Sequence, residues 1–216
     1  MKRLLMTVMV VAVIFAASSA AHAEITMFSG KTQGPHSALN ISAGVPDLSV
    51  LFLSGLDKRS DLGVLARLGY LTPVGFHINV WLMLDAEYKY MIRDAGKYNV
   101  AIKGDFGINM SFYSKAQNFD FGLNLQPYLI FGVPIKDAAM INLGFGVPFA
   151  IWFIDGIAAQ VPIAFTFGAE FFVDPQTTIN VNCEVGPGII IANSFGQTQS
   201  TVDFYGLFKV GVSFDL

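Results

Sequence analysis

The chain has 216 residues, of which 53% are hydrophobic and 13% charged, and its mean hydropathy is +0.54. An average soluble domain carries about 25% charged residues, so this composition excludes intrinsic disorder and argues against an ordinary water-soluble domain. The formal net charge of -3 disfavours a nucleic-acid partner, and the single cysteine, Cys183, excludes an internal disulfide.

The first segment in chain order has the pattern of an export signal. Lys2 and Arg3 precede an apolar stretch over residues 4–17, and Ala21-His22-Ala23 is the small-x-small pattern that signal peptidase recognises. The apolar stretch is too short to cross about 30 Å of hydrocarbon as a helix. We therefore expect residues 1–23 to be a signal peptide and residues 24–36 to be an exported segment that precedes a folded domain at 37–216.

From residue 37 onward, apolar and polar residues alternate with a period of two, which is typical of β-strands. Short turn signals separate the alternating runs, for example at residues 72–75, 93–96 and 174–176. The predicted strands are 37–45, 48–55, 62–70, 76–89, 98–113, 119–131, 141–153, 161–173, 177–191 and 202–216. Because 48–55 has the weakest pattern, eight strands are the alternative to ten if residues 37–55 lie outside the sheet.

An apolar face that alternates with a polar one fits either a soluble sandwich or a transmembrane barrel. The length of the strands, the many glycines on the polar face and the aromatic residues near the strand ends favour the barrel. Residues 138–154 carry no charge and could suggest a membrane helix, but Gly144, Gly146 and Pro148 interrupt them. The predicted fold class is all-β: a single antiparallel up-and-down transmembrane β-barrel of ten strands.

The last strand carries the most specific local pattern. Apolar residues occupy every second position up to the end of the chain, at Phe208, Val210, Val212, Phe214 and Leu216. This pattern resembles the carboxy-terminal signature of Gram-negative outer-membrane β-barrels. The resemblance implies an outer-membrane location, contact with outer-membrane lipid and recognition by the barrel-assembly machinery. It also implies periplasmic termini, so residues 24–36 and the turn at 174–176 would be periplasmic and residues 192–200 would form an extracellular loop.

The polar faces of the strands carry four basic and eight acidic residues, so a barrel interior would be rich in acids. The candidate lumen network consists of Arg67, Asp85, Glu87, Lys89, Lys103, Asp105, Asp120, Glu170, Glu184 and Lys209, with Asp203 and Asp215 as further acids. Unpaired charges in a narrow interior are unfavourable, so these groups either pair or are hydrated. Pairing of β-strands about the turn near Asp94 predicts that Lys103 meets Asp85 or Glu87.

These observations support two readings of function. The favoured one is a structural barrel or a narrow channel for ions or small solutes, with cations preferred by an acidic lining. The alternative is a lipid- or peptide-modifying enzyme, but His36 and Ser37 are adjacent and would point to opposite faces of a strand, and a triad at His77 would need a second strand. With two histidines left after cleavage, no zinc site and no cofactor are expected.

Overall fold

The computed structural model describes residues 26–76, 78–113, 118–154, 156–194 and 197–216, and these residues form an all-β structure. The strands are β1 (Ser37–Val45), β2 (Asp47–Gly55), β3 (Ser60–Leu71), β4 (Ile78–Asp94), β5 (Asn99–Tyr113), β6 (Asn118–Ile135), β7 (Ala139–Gly146), β8 (Phe149–Ile154), β9 (Gly156–Pro162), β10 (Ala164–Asp174), β11 (Thr177–Ser194) and β12 (Gln197–Asp215). In the described part of the chain, no helix is long and apolar enough to cross a membrane.

The twelve segments make a closed antiparallel barrel with ten wall strands. Along β6, the pairs Tyr128↔Gly146 with β7 and Leu125↔Phe149 with β8 follow one unbroken register, so β7 and β8 form one wall strand. For the same reason β9 and β10 form another wall strand alongside β11. Pairing of β1 with β12 closes the sheet. The prediction of a ten-stranded up-and-down barrel is therefore confirmed.

The barrel is apolar outside and polar inside. In β2, for example, Leu48, Val50 and Phe52 are exposed on the outer surface, whereas Asp47 and Ser49 are buried in the lumen. A soluble sandwich would bury the apolar face, so the observed faces suit a barrel surrounded by lipid. Ten strands enclose little more space than the eight whose interior is filled by side chains, so the lumen is crowded. A Cβ at the lumen-facing Gly107 would lie 2.0 Å from the carbonyl oxygen of Leu84.

The connection between β11 and β12 differs from the sequence expectation. β11 extends to Ser194 and β12 begins at Gln197, so residues 192–200 are mostly strand and the prediction of a long loop there is wrong. The pairing continues in one register up to Ser194↔Gln197, although residues 197–201 are all polar and carry no apolar alternation. At the same end, Pro46 alone joins β1 to β2, and the barrel wall is lowest there.

The connection between β3 and β4 closes the gap above the short β1–β2 hairpin. Val74 pairs with Tyr205 of β12. The Gly75 amide donates to the carbonyl oxygen of Phe204 and the Gly206 amide donates to that of Pro73, both at 2.9 Å. Val74 is thereby 1% exposed, and its side chain lies in the lumen next to Gly188.

Near the middle of the wall, four prolines lie in line across neighbouring strands. The unbroken register places Pro127 opposite Val147, Pro148 opposite Pro162, and Pro187 opposite Ile163. The Val147 amide donates to the carbonyl oxygen of Pro127 at 3.1 Å, and the Ile163 amide donates to that of Pro187 at 2.9 Å. Each proline lacks the N–H that would complete its pair, so two ladder bonds remain of the six that these three pairs would otherwise make. We call these four residues the proline seam.

Candidate functional site

The lumen face carries all ten residues of the candidate network. Their positions in the strands alternate with the outward apolar residues, and Glu87, Lys89, Asp105 and Glu170 have no exposed surface. Two further acids, Asp47 and Asp61, are also buried in the lumen, whereas Asp203 lies on the exposed end of β12. The lumen acids, Asp47, Asp61, Asp85, Glu87, Asp105, Asp120, Glu170 and Glu184, therefore outnumber the bases Arg67, Lys89, Lys103 and Lys209 by four.

Lys103 is the centre of the first group of charges. Its Nζ lies 3.1 Å from Oε2 of Glu87 and 3.2 Å from Oδ2 of Asp105, and 5.4 Å from the centre of the Tyr128 ring. Arg67 Nη2 is 3.9 Å from the same Asp105 oxygen. The single ammonium group of Lys103 thus pairs with two carboxylates that are fully buried. Loss of this group would remove the nearest positive charge from both buried carboxylates, which strongly destabilises a folded protein.

The register of β4 against β5 differs from the one expected. Lys89 lies directly opposite Lys103, and Glu87 opposite Asp105, so the favourable contacts are diagonal. Lys103 meets Glu87, as one of the two expected contacts, whereas Asp85 accepts a hydrogen bond from Asn124 Nδ2 at 2.6 Å. The strands continue to Asp94 and Asn99, so the turn is centred beyond Asp94 and every pair is displaced.

A second group of charges lies beside the first. Lys209 forms an ion pair with Asp47, and its Nζ donates to Ser49 Oγ at 3.0 Å. Glu184 Oε2 accepts hydrogen bonds from the hydroxyl groups of Tyr128 and Tyr205, at 3.0 and 2.9 Å. The sequence interpretation did not include Asp47, Tyr128 or Tyr205. Asp47 falls between the predicted strands 37–45 and 48–55, and the alternation within 119–131 and 202–216 would have placed Tyr128 and Tyr205 on the inner face.

Residues 26–36 lie within the end of the barrel at which β1 begins and β12 ends. The amides of Met27 and Phe28 donate to Glu170 Oε1 at 2.6 and 3.0 Å, and Asn142 Nδ2 donates to the other Glu170 oxygen at 3.0 Å. On the opposite wall, Lys89 Nζ donates to the carbonyl oxygen of Thr26 at 3.2 Å. This amino-terminal segment therefore contacts β4 and β10 across the lumen and fills it at this end.

The same segment explains why Asp61 and Lys89 are buried. Lys89 Nζ lies 3.2 Å from Asp61 Oδ2, and the Gln33 amide donates to Asp61 Oδ1 at 2.9 Å. Gln33 Nε2 in turn donates to the carbonyl oxygen of Thr26 at 2.7 Å. The segment is thus folded back on itself and satisfies groups of the wall that would otherwise lack partners.

The opposite end of the lumen contains a recess of about 630 Å³, a volume that includes its open side. Its apolar lining includes Trp81, Met83, Pro148, Trp152, Pro162 and Leu207, and its polar lining includes Asp47, Arg67, Asn79, Gln126 and Gln160. Trp81 Nε1 donates to the carbonyl oxygen of Leu71 at 2.7 Å, and a Cβ at Gly69 would lie 1.8 Å from the indole. Gly69 therefore lets this ring lie against the backbone of β3.

His36 and Ser37, two candidates for an enzymatic site, lie at the opposite end of the barrel from this recess. His36 lies at the rim, where its Nδ1 is 3.6 Å from Asp215 Oδ2, and Ser37 Oγ donates to Ser54 Oγ. His77 falls outside the described residues. Within the described ranges, no group of three or more His, Cys, Asp or Glu residues is arranged to hold a metal ion.

Comparisons with known proteins found similarity among solved structures alone. No family model matches the chain, and no curated protein matches it. Two structures, described as a KdgM porin and as a KdgM porin in complex with disordered oligogalacturonate, each align with a TM-score of 0.37 and 10% sequence identity. Each alignment covers 84% of this chain and 99% of the other chain.

Proposed function

We propose that the protein is an outer-membrane β-barrel whose lumen is a narrow path for small cations, closed by its amino-terminal segment. The observation that carries the proposal is the excess of buried acids over bases along a lumen that a folded segment fills at one end. Acid-lined constrictions attract cations and repel anions, so the charge balance sets the expected selectivity.

The membrane location is supported by the outer surface. Large apolar side chains such as Val64, Leu84, Ile102, Leu143 and Phe167 are about half exposed on the outside of five different strands. A soluble protein rarely exposes a contiguous apolar patch of more than a few hundred Å². The signal peptide predicted at 1–23 would bring the chain to the compartment from which such barrels are inserted.

The proposal extends to the partners of the barrel. In β12, Phe208, Val210 and Phe214 are exposed on the outer face, and Leu216 ends the chain. These residues carry the resemblance to the carboxy-terminal signature, and we therefore assign recognition by the barrel-assembly machinery to them. Outer-membrane lipid would cover the same face after insertion.

Closure depends on contacts that can be released without unfolding the wall. Glu170 is the principal anchor on one side, because its carboxylate accepts two amides of the segment and the Asn142 side chain. Lys89 is the anchor on the other side. If the segment leaves the lumen, water can reach the carboxylates that it now covers, and a hydrated path with excess negative charge results.

The test compares three proteins in planar lipid bilayers: the mature chain, a variant lacking residues 26–33, and a Lys136→Ala control in the exposed β6–β7 turn. We expect low conductance for the mature chain and the control. The deletion should give a several-fold higher conductance with cation over anion selectivity. Anion selectivity would contradict the proposal, and so would a deletion variant that inserts but does not conduct, which would favour a purely structural barrel.

Enzymatic activity is the second candidate function. The placement of His36 beside Asp215, with Ser37 bonded to Ser54, gives no nucleophile and base in mutual reach at that position. We therefore favour transport over lipid or peptide hydrolysis. A lipid-hydrolysis assay on the same vesicles serves as the check, since turnover of phospholipid would contradict a non-enzymatic role.

A further inference from the structure

The proline seam has an unusual place in the barrel because it separates two apolar spaces. Pro148 and Pro162 face inward and line the recess with Trp152. Pro127 faces outward and lines an open groove of about 880 Å³ on the lipid-facing surface, with Ile102, Leu129, Phe145 and Val147 among the other lining residues. The groove exists because Gly104 has no side chain, and a Cβ there would meet no atom within 4 Å.

The wall between the two spaces is held by fewer backbone hydrogen bonds than the rest of the sheet. Because Val147 and Ile163 donate away from each other, the missing donors of Pro148 and Pro162 would have pointed at one another. This strand pair therefore has no ladder bond at that level within the described wall. In hydrocarbon no water replaces a missing donor, so the backbone carbonyl groups at this level lack partners that a complete ladder would give them.

The lining of the recess defines the ligand that would fit. Its walls are mainly apolar, but Gln126 Oε1 and Asn79 Oδ1 are buried acceptors with no hydrogen-bond partner, and both residues are less than a tenth exposed. Arg67 and Asp47 at the same recess already have partners of opposite charge, and a charged ligand would meet a like charge there. An uncharged molecule with a hydrocarbon body and a hydroxyl group satisfies both conditions.

We propose that the proline seam is a lateral entrance through which an uncharged amphiphile, such as a fatty alcohol or a phenol, passes from the membrane into the recess. The hydroxyl group donates to Gln126 or Asn79, and the hydrocarbon body contacts Trp81 and Trp152. This inference rests on the proposed membrane location, but it is independent of ion conduction.

The two tryptophans of the chain, Trp81 and Trp152, both line the recess and provide the assay. The full mature chain is refolded into phosphatidylcholine vesicles, and 11-bromoundecan-1-ol is added as a probe whose bromine quenches indole fluorescence on contact. We expect quenching that saturates. A wild-type protein that inserts, as judged by gel mobility before and after boiling, but is not quenched would overturn the inference.

The route is tested by restoring backbone N–H donors at the two prolines that face outward, Pro127 and Pro187. The double variant Pro127→Ala/Pro187→Ala supplies two N–H groups and leaves the recess lining unchanged, and Pro134→Ala, near the end of β6, is the matched control. We expect quenching in the double variant to be slower by about tenfold, with the same final extent, because the two added bonds fix the strands of Pro148 and Pro162 to their outer neighbours and so oppose their separation. Equal rates in all three proteins would mean entry through an open end and would overturn the lateral route.

A measurement on the wild type covers the case in which the double variant does not fold. Amide exchange at Val147 and Ile163 should be faster than at Leu65 and Ala66, which lie in the intact β2–β3 ladder. Equal or slower exchange at the seam would overturn the inference. Failure of insertion would remove both proposals, whereas loss of conduction alone would leave this one standing.

Discussion

Replacing Lys103 with methionine removes a cation that two fully buried carboxylates share. At an effective dielectric constant of 20, its contacts of 3.1 and 3.2 Å with Glu87 and Asp105 each correspond to about 5 kcal/mol of gross Coulomb attraction. Most of this is offset by desolvation, and loss of one partner of a buried pair typically destabilises by about 3–5 kcal/mol. We therefore expect the Lys103→Met variant to lose about 3–5 kcal/mol of unfolding free energy.

The assay is equilibrium urea unfolding in lipid vesicles, followed by tryptophan emission, with gel mobility as the test of folding. Lys103→Arg is the matched control, because it keeps the charge beside Glu87 and Asp105 and the contact with the Tyr128 ring. The double variant Lys103→Met/Glu87→Gln removes one of the stranded carboxylates and should recover about 1–3 kcal/mol. A loss below about 1 kcal/mol in Lys103→Met would refute the reasoning, since the lumen would then be hydrated enough to screen the charges.

Two further substitutions, each with its own control, test which side chains face lipid and how the Trp81 ring packs against Gly69 in the recess. Ile102→Arg places a charge on the lipid-facing surface and should lower the unfolding free energy in vesicles by about 2–4 kcal/mol. Gln160→Arg, at the open recess, is the control and should lower it less. Equal losses in the two variants would mean that the assigned faces are wrong. Gly69→Ala must displace the Trp81 indole and should cost about 1–3 kcal/mol with a red-shifted emission. Gly104→Ala is the control, because its added methyl group meets open space, and its unfolding free energy should stay within about 1 kcal/mol of the wild type. If the tryptophan emission of Gly69→Ala is not shifted, the described position of the Trp81 ring is contradicted.

The alternation of side chains was sufficient to predict the barrel but not its register. Period-two patterns in segments such as 98–113 and 119–131 identify strands and their two faces, because a barrel in lipid needs opposite chemistry on each face. Register depends on turn geometry and bulges, and β4 has an irregularity between Met91 and Arg93 that no composition reveals. The prediction that Lys103 meets Asp85 or Glu87 is confirmed for Glu87 alone, because side chains diagonal to each other share a face even when the register is displaced.

Features that arise from several strands at once were beyond the sequence. Pro127, Pro148, Pro162 and Pro187 belong to different segments of the chain, and only the combined register of four wall strands brings them into line. The expected periplasmic segment 24–36 has no strand pattern, and its described part, residues 26–36, lies in the end of the barrel. Its contacts with Glu170 require a closed barrel, which local pattern does not encode.

The contacts of the amino-terminal segment also bear on the order in which the protein assembles. Its partners belong to opposite halves of the chain, with Asp61 and Lys89 near the beginning and Glu170 near the end. Strands close in sequence must pair before Glu170 comes opposite Lys89, so residues 26–33 reach their final positions only after the wall from β4 to β10 has formed. Once in place, these residues connect opposite walls across the diameter of the barrel. A chain without them would close into the same barrel, but its cross-section would be free to become flatter.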